Sequence, residues 1–119
     1  MTLNLGVVIH EPLEIVGLPD AHKRCVALYS TGARRVYFLV EVINSKYHRI
    51  YAGTAGEPLV DFGVVQPKGG VRYEFHESEH SYSLDLPHDS GPSLVMSHGQ
   101  RSRRVTLEKL LDTRTKPRR

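Results

Sequence analysis

The sequence predicts an all-β domain, an antiparallel β-sandwich or barrel, followed by a short C-terminal helix and a basic tail. Three observations predict it. Short runs rich in Val, Ile, Leu, Tyr and Phe recur along the chain, several of them alternate apolar with polar residues, and Gly, Pro, Asn and Asp punctuate the gaps between them. The expected organisation is a β-rich domain over residues 1–100 and a basic segment over residues 101–119.

Val7-Val8-Ile9 and Leu13-Glu14-Ile15-Val16 read as strand material interrupted at Pro12, which has no N–H to give to a ladder. A turn around Pro19 and Asp20 leads to a strand over 24–30, ended by Thr31-Gly32. The most apolar stretch, Val36 to Ile43, is hydrophobic at both parities. A strand of that kind is covered on both faces, and its β-branched content argues against a buried helix. Tyr47 to Tyr51 is a short strand, and Leu59 to Val65 another that is expected to pair across Pro67-Lys68-Gly69-Gly70 with the strand beginning at Val71. Val71, Tyr73 and Phe75 alternate with Arg72, Glu74 and His76, while Tyr82, Leu84 and Leu86 alternate with Ser81, Ser83 and Asp85. That pattern predicts a hairpin over 71–86 turning at Glu77-Ser78-Glu79. Leu94-Val95-Met96 offers a last short strand. The arrangement as a whole is compatible with an immunoglobulin-like sandwich. At the end, Thr106 as a cap, Glu108 in the first turn and an apolar stripe of Leu107, Leu110 and Leu111 predict about two turns of helix that must dock on the body or on a partner.

Composition excludes several classes. A chain of 119 residues with 39% apolar and 24% charged residues has the makings of one folded domain rather than a disordered chain. The lone cysteine, Cys25, sits in an apolar run, so no internal disulfide or Cys-based zinc site can form and a reactive thiolate is not expected. The N-terminus lacks the basic, apolar and small-residue series of a secretory signal, and no run is long enough to span a membrane as a helix. The expected setting is intracellular and cytoplasmic; a viral or nuclear one fits the same features. The glycine-rich stretches at 53–56 and 68–70 precede strands, which is the wrong context for a phosphate loop, and no Gly-x-Ser-x-Gly elbow occurs. No cofactor and no catalytic residue are expected.

Two features point toward function. Residues 1–100 carry eight Lys and Arg against eleven Asp and Glu, whereas residues 101–119 carry eight against two. Arg101, Arg103, Arg104, Lys109, Arg114, Lys116, Arg118 and Arg119 are therefore the expected contacts for RNA, DNA or another anionic partner, because each phosphate neutralised releases a counterion. Tyr37, Tyr47 and Tyr51 would supply stacking if exposed. The second feature is a histidine cluster, His76, His80 and His88, among Glu and Asp residues; a hairpin turn could bring it together as a metal site. The leading expectation is a non-catalytic binding module acting through the basic segment. An assembly subunit, joined to a protein partner or to its own copies by sheet edges or by Leu107, Leu110 and Leu111, comes second. A small metal-dependent enzyme using the histidines comes third.

Overall fold

The computed structural model describes residues 6–10, 14–18, 26–31, 36–69, 71–87 and 91–112. Cys25, Pro12, His88 and the tail beyond residue 112 lie outside them. The elements are all strands: β1 (Val8–His10), β2 (Glu14–Val16), β3 (Val26–Thr31), β4 (Val36–Val42), β5 (His48–Thr54), β6 (Val60–Val65), β7 (Arg72–Glu77), β8 (His80–Asp85), β9 (Ser93–His98) and β10 (Arg101–Asp112). The all-β, antiparallel class read from alternation is what the chain adopts. No described helix is long and apolar enough to cross a membrane.

β1 and β2 form a small hairpin, and the other eight strands form one hydrogen-bonded run in the order β6-β5-β4-β3-β10-β9-β8-β7. Each half is a meander of consecutive strands, and the antiparallel β3–β10 ladder joins them. An immunoglobulin-like arrangement needs Greek-key crossings, which these two meanders do not make. The run cannot be flat. With strands about 4.8 Å apart, β5 and β8 would lie roughly 24 Å from one another across it. Yet Ile50 and Ala52 of β5 share a buried cluster with Leu84 of β8, together with Phe38, Val40, Tyr73, Phe75, Leu86, Leu94 and Leu107. The sheet therefore folds over at β10 into two layers around that core, and His48 Nδ1 meets the Tyr73 hydroxyl at 2.8 Å across it.

The other face of the β3–β6 layer is covered as well. Tyr37, Leu39 and Tyr51 point to this side and bury against Val7, Ile9, Leu18 and Leu59. The β1–β2 hairpin is laced to the loop after β5 by Gly56 N–H donating to the Ile9 carbonyl at 2.9 Å and Leu59 N–H donating to that of Val7 at 2.8 Å. This is the physical basis of the double-sided hydrophobicity of Val36–Ile43: Phe38 and Val40 serve one core and Tyr37 and Leu39 the other.

Two expectations are corrected. The segment expected as a helix, Thr106 to Leu111, is the second half of strand β10. Two turns of helix cannot hold alone, and the strand instead satisfies its backbone on both sides, with β9 along Arg101–Thr106 and with β3 from Leu107 onward. Its leucines are divided accordingly. Leu107 is buried in the main core, Leu110 packs on the second cluster and Leu111 remains partly exposed. Of the three, Leu111 alone is exposed. Second, β6 and β7 do not form the expected hairpin ladder; they are the two ends of the eight-stranded run, met by side chains. Phe62 and Phe75 meet at 4.9 Å between ring centroids with their planes tilted by 45°, closing the seam with apolar surface rather than hydrogen bonds. The hairpin over 71–86 is as expected, with Glu77 opposite His80 and Ser78 at φ 54° in the turn.

Gly17 shows how tightly the small hairpin is seated. Its φ is 96°, and a Cβ there would collide with the Gly6 carbonyl. Gly17→Ala is expected to cost at least about 1–3 kcal/mol in urea unfolding. Hydrogen exchange should show faster opening at the Gly56 and Leu59 amides, and unchanged protection there would contradict this account of the docking.

Candidate nucleic-acid interface

β10 fixes the described basic residues, and strand alternation separates them. Arg101 lies opposite His98, Arg103 opposite Met96 and Val105 opposite Leu94. Leu94 is in the main core and Met96 and Val105 pack against it, so Arg101 and Arg103 share the core-facing parity. Both are nevertheless exposed. Burial thus fades along this face from Leu94 through Met96 to His98, which means that the end of the β7–β10 layer overhangs the other layer. Arg104 has the opposite parity and donates to the Ser93 hydroxyl at 3.0 Å on the outer face. Lys109 lies farther along, opposite Tyr29 of β3. The basic segment is therefore not one patch: Arg101 and Arg103 form a pair, and Arg104 and Lys109 stand apart from it. Arg114, Lys116, Arg118 and Arg119 fall outside the described residues.

The overhang carries rings. Ladder pairing sets Glu77, His80, His98 and Arg101 in one row across four strands, with Phe75, Tyr82, Met96 and Arg103 in the next row on the same face. His80 and His98 stack with centroids 4.6 Å apart and planes 17° from parallel. Tyr82 stacks at 5.1 Å on Phe75, and burial followed by the charge of Glu77 holds its hydroxyl above the ordinary tyrosine pKa. The His98 side chain is 57% exposed and its Nε2 is 3.8 Å from Glu79. Charge is thus graded across the row, carboxylates on the β7–β8 side and guanidiniums on the β10 side.

The histidine cluster considered as a candidate metal site is divided by the hairpin register. His76 faces Ser81, and the next row pairs Glu77 with His80, so the two histidines project from opposite faces. His76 Nδ1 lies 3.2 Å from the Ser81 hydroxyl on the outer face, while His80 joins the ring stack on the inner one. His88 is outside the described residues. No group of three His, Cys, Asp or Glu side chains among the described residues is placed to hold a metal ion.

Of the tyrosines that would supply stacking only if exposed, two are buried. Tyr37 and Tyr51 are fully buried in the second core, and Tyr47 alone of the three is exposed. The rings of the overhang, His80, His98 and Tyr82, are a group that charge and composition do not single out. The signal that brings them together is a turn: Gly99-Gln100, with Gly99 at φ 63°, sets His98 directly across from Arg101.

A second titratable group lies under the outer face of β4 and β5. Glu41 is 2% exposed and accepts a 2.7 Å hydrogen bond from the Tyr51 hydroxyl, and beside them Arg49 and Asp61 pair at 2.8 Å. Burial, reinforced by the hydrogen bond to Glu41, pushes the Tyr51 hydroxyl well above the ordinary tyrosine range. Comparison with protein-family models, with curated proteins and with solved structures finds no match for this chain.

The raised Tyr51 value has a defined sign. The folded state keeps the proton while the unfolded chain releases it above about pH 10, so stability is complete below that pH and falls above it. Tyr51→Phe is expected to cost about 1–3 kcal/mol near neutral pH by removing a donor from a buried carboxylate. It should also flatten the alkaline limb by a slope approaching about 1.4 kcal/mol per pH unit. Urea unfolding of both proteins from pH 7 to 11 checks this; parallel limbs would show that Tyr51 is not the group responsible.

Proposed function

We propose that this protein is a non-catalytic binding module that holds an anionic polymer, a single-stranded nucleic acid, on the overhanging end of the β7–β10 layer. The observation that carries the reading is the register that sets Arg101 and Arg103 beside the stacked pair His80 and His98. Guanidiniums take phosphates and rings offer stacking surface, the two contacts by which single strands are held without base-specific hydrogen bonds. Duplex grooves need a projecting helix or ribbon, whereas this surface is a short shelf. The basic residues beyond 112 add sequence-independent attraction through counterion release.

Fluorescence anisotropy with labelled oligo-dT and oligo-U across a salt series tests it. Arg101→Ser with Arg103→Ser should weaken binding and reduce the slope of log affinity against log salt by about 1.4, since each phosphate left without its arginine lowers the slope by about 0.7. His98→Ala should cost about 1–3 kcal/mol with little change in slope, because stacking is not a charge effect. Affinity and slope unchanged in the arginine pair would defeat the proposal.

A second reading, assembly through a sheet edge, is favoured by β6. Val60 and Val64 on this end strand are 51% and 45% exposed. If copies of the chain join there, light scattering should show mass rising with concentration, and Val60→Lys with Val64→Lys should return it to the monomer value. A monomer at every concentration would exclude this route.

A further inference from the structure

The outer face of the β7–β10 layer, opposite to the ring-bearing one, has a depression of about 230 Å³ lined by Glu74, His76, Ser81, Tyr82, Ser83, Val95 and Ser97. We propose that it binds a neutral, hydroxyl-rich ligand, a single sugar ring standing alone or within a glycan.

The ladder dictates its shape. One row on this face is His76, Ser81, Ser97 and Ser102, and the next is Glu74, Ser83, Val95 and Arg104. Directly opposed side chains in such rows sit about 5 Å apart. The middle of both rows is built of serines and one valine, and the long side chains stand on the outer strands, so the sheet surface is hollowed in the centre. The volume is below the range of about 300–1,000 Å³ that receives drug-sized molecules, which limits the occupant to something as small as one sugar ring.

The chemistry selects the class. Serine hydroxyls both donate and accept, a carboxylate only accepts, and an imidazole nitrogen does either according to its tautomer. The hydroxyls of Ser83 and Ser97 have no hydrogen-bond partner among the described residues, although both side chains are only partly exposed. Glu74 uses Oε1 to accept from Lys68 Nζ at 2.6 Å, and Oε2 has no partner among the described residues. That ion pair offsets the charge of Glu74, the one carboxylate among the lining residues. His76 is held by Ser81, so its ring is oriented before any ligand arrives. Val95 supplies methyl groups on which the C–H face of a sugar ring can rest.

The site is independent of the arginine shelf, because it lies on the other side of the same strands. Solution NMR of the full chain, titrated with glucose, galactose, mannose and N-acetylglucosamine, tests it. At least one sugar should give saturable shifts at the Ser81, Ser83, Val95 and Ser97 amides with a Kd in the millimolar range. Glu74→Gln and Ser83→Val should each weaken that binding about tenfold while leaving the remaining spectrum in place. Arg101→Ser with Arg103→Ser should bind the sugar as the natural chain does, which separates this result from that of the nucleic-acid proposal. Non-saturating shifts with all four sugars, saturable binding indifferent to both cup variants, or a stronger response to inorganic phosphate would each overturn it.

Discussion

The fold depends on one ladder, the pairing of β10 with β3. Each meander, β3 to β6 and β7 to β10, is made of neighbours in sequence linked by short connections, and each presents an apolar face that it cannot cover alone. β10 belongs to both: its first half pairs with β9 and its second with β3, and Leu107 enters the common core where the partner changes. The Leu107 N–H donates to the Pro92 carbonyl at 3.0 Å at this corner. Joining residues about 80 positions apart costs loop-closure entropy before the core returns anything, so this ladder is the late, non-local step of folding. Once it forms, Phe38 and Ile50 from one layer meet Leu84 and Leu94 from the other.

The same closure leaves a seam where β6 and β7 approach. No ladder spans it, so side chains must keep water from the core: Phe62 meets Phe75 at 4.9 Å and Tyr82 at 6.0 Å. A bulge makes this possible. The register of β6 on β5 slips between Ile50 and Tyr51, Gly63 takes φ 96°, and Asp61 Oδ1 accepts the Gly63 N–H at 2.8 Å. The extra residue aims Phe62 inward. It also occupies a backbone donor on an end strand, which hinders pairing with another chain even while Val60 and Val64 stay exposed. The two facts pull against each other, and this is why edge assembly ranks second to the arginine shelf.

Most of the strands are legible in the sequence because alternation is enforced wherever one face is wet. β7 and β8 show it plainly: Tyr73, Phe75 and Leu84 inward, Glu74, His76 and Ser83 outward. The C-terminal strand is not legible because its second half has apolar partners on both faces, beneath Leu107 and above Leu110. With one core beneath Leu107 and another above Leu110, apolar residues fall on both parities, and the bulge between Lys109 and Leu111 offsets the register again. Leucines at 107, 110 and 111 then imitate the i, i+3, i+4 stripe of a helix. The expected β6–β7 pairing fails for a different reason. A turn between two strands predicts a hairpin by proximity, but here the chain crosses from one layer to the other at that turn.

Strand alternation also explains why a charge asymmetry in the sequence does not locate a binding surface. Composition counts Arg101, Arg103 and Arg104 as neighbours, whereas a strand sends the first two to one face and the third to the other. What gathers around each is then set by the partner strand: His98 and Met96 beside Arg101 and Arg103, Ser93 and Val95 beside Arg104. One face bears stacked rings with guanidiniums at its β10 edge, and the other is rich in hydroxyls, with Lys68 paired to Glu74. Two surfaces of different chemistry on four shared strands are therefore a direct result of a two-residue period, since neither can change register without exchanging its side chains with the other.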